Sequence, residues 1–244
     1  MFDQVAANKR RSALLIGGFV LLIVGVTAAL ELLLGFGLLW VAVAAAVAGL
    51  SSFLAYWKSA SVALAKSNAR PADPMVHARL HNIVEGLCVA GGLPKPGVYV
   101  VEDPAPNAFA VGRNPQNAAI AVTTGLLEKL DRVELEGVVA HELAHIKNYD
   151  ILVSTLAVTL IGVVFKVLAP LAVKLMQVAV SPHREQLADM SGVLLTRYPP
   201  GLLSALEKMR DDNTVVRSAS GATAHLWIEG PVPLNHRIDA LREL

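Results

Sequence analysis

The chain has 244 residues, 54% of them hydrophobic and 17% charged, with a formal net charge of +1. That balance gives no electrostatic case for binding nucleic acid. Its single cysteine, Cys88, excludes an intrachain disulfide and fits a reducing compartment.

The apolar residues are concentrated in runs. Ala13 to Leu30 is an uncharged run of 18 residues, and Leu32 to Trp57 is a second of 26. Both meet the roughly 20-residue requirement for a transmembrane helix. Glu31, followed by Gly35 and Gly37, marks the turn between them. The first run is too long, and too closely followed by the second, for a cleaved signal peptide. Lys9, Arg10 and Arg11 precede the first run, and Lys58, Lys66 and Arg70 follow the second, with no Lys or Arg between. The excess of positive charge on the inner side then places both ends of this hairpin in the cytoplasm.

Pro71 to Asp150 reads as mixed helix and short strand, with a helix expected over Met75 to Val89. His77 and His81 lie four apart there without a carboxylate, which is the pattern of a helix surface pair. A short apolar strand signal, Asn107 to Val111, ends at Gly112. An exposed edge there, Asn107, Ala108, Phe109 and Ala110, could pair backbone to backbone with an extended polypeptide.

His141-Glu142-Leu143-Ala144-His145 carries the chemistry. On a helix, two imidazoles four apart point at one ion. Glu142 sits about 100° round the helix, beside the metal without ligating it, where it takes a proton from a zinc-bound water. Val133, Leu135, Val138, Val139, Leu143 and Ile146 give the segment an apolar helical face, and Glu134 and Glu136 favour its N-terminal dipole. The helix is expected to run from His145 straight into apolar Ile151, placing the ion within a few turns of the membrane.

Ile151 to Val180 is a third apolar stretch, broken by Lys166 and Lys174 and by Ala169-Pro170. It is too short for two full spans and is expected to form a hairpin in or on the membrane. Beyond it, Pro182 suits a first helical turn, and Glu185 and Asp189 fall four apart on one face. Glu185 is the candidate third ligand and Asp189 the acceptor for a ligating imidazole. His183 is an alternative ligand. His183, His236 and Arg237 are candidate donors to a developing oxyanion.

Several motifs occur together and in order. They are Gly91-Gly92-Leu93-Pro94-Lys95-Pro96 before Val98-Tyr99-Val100, Asn107-Ala108-Phe109-Ala110-Val111-Gly112, and Ala119 through Leu127. Glu134-Leu135-Glu136 then leads into His141 through Asp150, followed by Arg184-Glu185, Ala188-Asp189 and Pro233-Leu234-Asn235-His236-Arg237-Ile238. On these residues the chain resembles the HtpX family of membrane-bound zinc endopeptidases. Gln186 stands where that family usually has an aromatic residue, and Pro231-Val232 where it has His-Pro. The resemblance implies His141, His145 and Glu185 as ligands of one Zn2+ per chain, Glu142 as acid/base, and Arg237 near the oxyanion. It also implies a role in protein quality control and the stress response.

The reading is a mainly helical α+β fold: a zincin-like catalytic domain with an N-terminal transmembrane hairpin and an inserted apolar hairpin. Its parts are 1–60, 61–150, 151–180 and 181–244. The function expected is zinc-dependent cleavage of misfolded or unassembled membrane proteins, in a bacterial inner membrane, with the catalytic domain cytoplasmic. The partners expected are polypeptides and the lipid bilayer. An inactive zinc-stabilised membrane adaptor is the alternative, and a prenyl-protein protease would need more spans than the chain supplies.

Overall fold

A computed structural model of the chain describes residues 2–35, 37–156, 182–217, 223, 226–228 and 232–243. The fold is mainly helical, with one small sheet. The expected break at Ala169-Pro170, the positions of Lys166 and Lys174, Pro231, and most of the inserted hairpin lie outside the described residues.

Helices α1 (Phe2–Leu34) and α2 (Leu38–Lys66) pack side by side, joined at Gly35 and Gly37, which take positive φ angles of 67° and 95°. Both helices are long and apolar enough to cross a membrane. Leu21, Leu32, Leu38, Trp40 and Phe53 stand exposed along them. Glu31 lies inside α1, one turn before the hairpin. The last turns of α2 leave this pair: Ala63 and Leu64 pack with Phe109, Val111 and Ala121 of the sheet.

The sheet has the order β1-β2-β4-β3, built from β1 (Arg70–Pro71), β2 (Gly97–Val101), β3 (Ala108–Asn114) and β4 (Asn117–Thr123). β2 and β4 run parallel, and β3 pairs antiparallel with β4 at the sheet edge. Strand periodicity separates the two faces of β3. Phe109 and Val111 face the α2 side, while Ala108 and Ala110 face the main core. The strand does not end at Gly112. It continues through a register shift there, and only glycine fits: φ is +150°, and a Cβ would sit 2.4 Å from the Asn117 carbonyl oxygen.

Helices α3 (Ala78–Gly91) and α4 (Thr124–Lys129) flank the sheet, and α5 (Arg132–Lys147) is the central helix. Asp131 and Glu134 form a reciprocal capping box at the start of α5. Glu134 is buried, where it also accepts from Ser204 at 2.6 Å and Lys208 at 2.7 Å, both in a later helix. Leu135, Val138, Val139, Leu143 and Ile146 are fully buried, while Val133 is exposed.

The chain departs from expectation just beyond the motif. α5 stops at Lys147, Tyr149 turns with φ 60°, and a new helical segment begins at residue 150. Ile151, Leu152, Val153 and Leu156 are buried in the protein. Side-chain hydrogen bonds from Asn8 to the Asn148 carbonyl, and from Arg184 to the Asp150 carbonyl, hold this turn. Helices α6 (Pro182–Thr196), α7 (Pro199–Asp211) and α8 (Leu234–Arg242) complete the fold, with α6 and α7 packed on α5.

Candidate metal centre

α5 and α6 cross where their backbones come closest. A Cβ on Gly192 would lie 2.9 Å from the His141 backbone nitrogen, so the missing side chain sets the approach. Glu185, Asp189 and Gly192 recur at four and three residues, on one face of α6. That face therefore meets the imidazole face of α5.

His141 Nε2, His145 Nε2 and the Glu185 carboxylate converge, with all ligand atoms within 4.8 Å of one another. The two Nε2 atoms are 3.1 Å apart, and the Glu185 oxygens lie 3.6 and 3.7 Å from them. Ligands bound tetrahedrally at about 2.0–2.1 Å stand about 3.3 Å apart.

The rings are oriented from behind. The Asp189 carboxylate faces His141 Nδ1 at 2.8 Å, and the Asp150 carboxylate faces His145 Nδ1 at 3.0 Å. A carboxylate only accepts, so Nδ1 carries the hydrogen and Nε2 turns its lone pair toward the common point. Each carboxylate is buttressed in turn. Arg237, itself buried, donates through Nη2 and Nε to Asp189 at 2.6 and 2.9 Å, and through Nη1 to the Ile228 carbonyl at 2.8 Å. Arg184 and Asn8 donate to Asp150 at 3.0 and 2.6 Å. Sequence reasoning assigns no role to Asp150, Arg184 or Asn8. Asn8 is separated from Asp150 by 142 positions, and no local pattern signals that pairing.

The charges call for a cation. Four buried or partly buried carboxylates, Glu142, Asp150, Glu185 and Asp189, face two arginines, Arg184 and Arg237. Burial alone would push the His145 pKa down, but Glu185 and Asp150 outweigh it and raise it to about 10. Burial would raise Glu185, yet the neighbouring imidazoles hold it well below the usual carboxylate range. Without a metal the cluster thus draws a proton onto the imidazole. The donor set, two nitrogens and a carboxylate, suits a divalent ion that replaces this positive charge.

Glu142 is buried beside this cluster and lines the same small cleft, of about 30 Å³, as His141, His145, Glu185, Ala110 and Trp227. Burial raises its pKa, opposed by the charges of His141 and His145. His183 and His236 are exposed and do not line the cleft. Arg237 is occupied behind Asp189.

Ala110 brings the sheet edge to the cleft. The outward carbonyl of Ala108 accepts from the Ile228 N–H at 2.9 Å, and the Gly112 N–H donates to Thr155 at 3.1 Å. Trp227 packs edge-on against Phe109, with ring centroids 4.7 Å apart.

An H-E-x-x-H helix joined by a glutamate from a second helix, beside a sheet edge, defines a metallopeptidase. Residues 74–244 match the model of peptidase family M48, and the chain belongs to that family. Among its relatives is the protease HtpX homolog of Tropheryma whipplei (strain Twist), 45% identical, with 70% of this chain and 69% of that one covered. The protease HtpX homolog of Caldanaerobacter subterraneus subsp. tengcongensis is 39% identical, with 75% and 77% covered. That of Streptococcus gordonii is 35% identical along the whole of both chains. The protein is therefore a metalloendopeptidase, a hydrolase of peptide bonds.

Proposed function

We propose that the chain is a zinc-dependent endopeptidase of the membrane, with a zincin-like catalytic domain, that cleaves misfolded or unassembled membrane proteins in quality control. The observation that carries it is the convergence of His141, His145 and Glu185, each imidazole held by its own carboxylate, with Glu142 buried alongside. The domain parts proposed are 1–60, 61–150, 151–180 and 181–244.

Zinc held by His141, His145 and Glu185 would supply a Lewis acid and would lower the pKa of a water toward neutrality. Glu142, buried beside these side chains, would take a proton from the attacking water and pass it to the leaving amine. Asp150 and Asp189 keep the imidazoles aimed. Arg237 acts by fixing Asp189, and its charge also helps to balance the centre.

The substrate lies along β3 as an added strand. Ala108, Ala110 and Gly112 share one backbone parity, with the first and last already engaged. The N–H and carbonyl of Ala110, at the cleft, then receive the peptide. Main-chain pairing reads little of the side chains, which favours broad specificity for unfolded segments. On this reading α1 and α2 span the bilayer, and their basic flanks favour a cytoplasmic catalytic domain. The convergence of α5 and α6 favours an even number of crossings, or none, between them.

Activity tests this reading. Cleavage of an unfolded membrane protein by the purified chain should stop on chelation and return with one equivalent of zinc. Cleavage unaffected by complete metal removal would overturn it.

A further inference from the structure

We infer that the seam between the α1–α2 pair and the peptidase domain is a binding site for one anionic phospholipid. The inference rests on the reading that α1 and α2 span the bilayer.

A cavity of about 340 Å³ opens at that seam, lined by Lys9 and Ser12 of α1, Tyr56 of α2, Arg113 and Asn114 of the β3–β4 hairpin, and Tyr149. Three observations point to a ligand. First, Lys9 and Arg113 have no carboxylate within ion-pair distance among the described residues. Lys9 lies over the Tyr149 ring at 4.7 Å, and Arg113 over the Trp57 ring at 4.3 Å, so aromatic faces hold both cations in place. Second, Ser12 lines this cavity, and its buried hydroxyl has no hydrogen-bond partner among the described residues. A buried hydroxyl left without a partner is costly, and a turn of the side chain toward the cavity would let a phosphate oxygen satisfy it. Third, a second cavity of about 430 Å³ adjoins the first, sharing Ile16 and Tyr56. It runs between α1 and α2 past Val20, Gly49 and Phe53.

The two cavities differ in chemistry in the order a phospholipid requires. The inner one offers cations, a hydroxyl and an amide at the headgroup level. The other is apolar and lies along the membrane-facing helices. A free phosphate would use only the first, and the adjoining groove selects a lipid. Tyr149 precedes Asp150, which holds His145, so an occupied site also steadies the turn behind the metal centre.

The test uses the full chain in nanodiscs of phosphatidylcholine with or without phosphatidylglycerol, and counts retained lipids by native mass spectrometry. The wild-type chain should retain one phosphatidylglycerol in preference to phosphatidylcholine. The double variant Lys9→Gln/Arg113→Gln should weaken that retention by on the order of tenfold or more, at roughly fivefold per cation near a membrane surface. Gly49→Phe should weaken it too, by filling the groove, where the space beside Gly49 is open. Excess inorganic phosphate should not displace the lipid. Retention unchanged in both variants would overturn the site, as would displacement by phosphate alone. Flotation of the chain with both disc types separates failure of the site from failure of the membrane reading, since a chain that enters neither bilayer overturns both.

Discussion

Glu142, Glu185, Asp150 and Asp189 are four carboxylates within one cluster, and their surroundings give them different tasks. Glu185 faces both Nε2 atoms, so its removal would take the proposed anionic ligand from the centre. Asp150 and Asp189 touch only the far ring nitrogens. Glu185→Ala should therefore lose stoichiometric zinc and activity together. Asp150→Ala and Asp189→Ala should each lower zinc affinity by on the order of 10- to 100-fold and leave the centre competent at saturating metal. Zinc content by atomic emission, across a zinc titration, separates the two classes. Stoichiometric zinc in Glu185→Ala would move the third ligand elsewhere. The spacing of His141, His145, Glu185 and Asp189 was legible in the chain because two helical periods align them. Asp150 was not, because its role depends on a turn at Tyr149 that breaks the helix.

α5 owes its position to small residues on both sides. Gly137 lets α7 approach it at Leu202, and Gly192 lets α6 approach at His141. The side chain of Gly192→Val would meet the His141 backbone, and α6 would have to move outward, taking Glu185 with it. The expected result is a loss of zinc affinity by at least tenfold, with a destabilisation of about 1–3 kcal/mol for overpacking. Zinc titration and thermal melting measure the two effects. Unchanged affinity would mean that the helix crossing does not set the ligand geometry. The helix itself could be read from its motif and apolar face, but its grip could not. Burial extends well beyond that face, so the sequence does not mark which sides meet α6 and α7, and a glycine inside a helix gives no sign of which backbone it faces. The break after Lys147 was equally hidden, since the apolar run at Ile151 looks the same whether it enters lipid or a protein core.

The whole molecule joins a membrane-type hairpin to a peptidase domain through a polar clasp. Asn8 of α1 reaches Asp150, and the end of α2 packs under the sheet. The clasp ties the basic end of the hairpin to the candidate metal centre, and on the proposed membrane reading that puts the two on one side of the bilayer. The two long apolar helices were plain in the sequence from hydropathy alone. Their contact with the cluster around His145 was not, because it depends on tertiary packing. Single cysteines at Asn117 and Val215, both exposed, in a Cys88→Ala background, report the orientation. Both should be protected from a membrane-impermeant reagent in intact cells and labelled after lysis. Labelling of either from outside would overturn the orientation.

The central claim is that zinc binding and catalysis reside in different side chains of one cluster. It is tested most directly by Glu142→Gln, measured for zinc content and for cleavage of an unfolded membrane protein in the same preparation. The amide keeps the shape and leaves His141, His145 and Glu185 untouched, but it cannot take a proton. One zinc per chain with cleavage reduced by at least a thousandfold is the expected result. A thousandfold loss lies within the roughly 10²–10⁴-fold range of general acid–base catalysis. Normal turnover by the zinc-loaded variant would contradict the account.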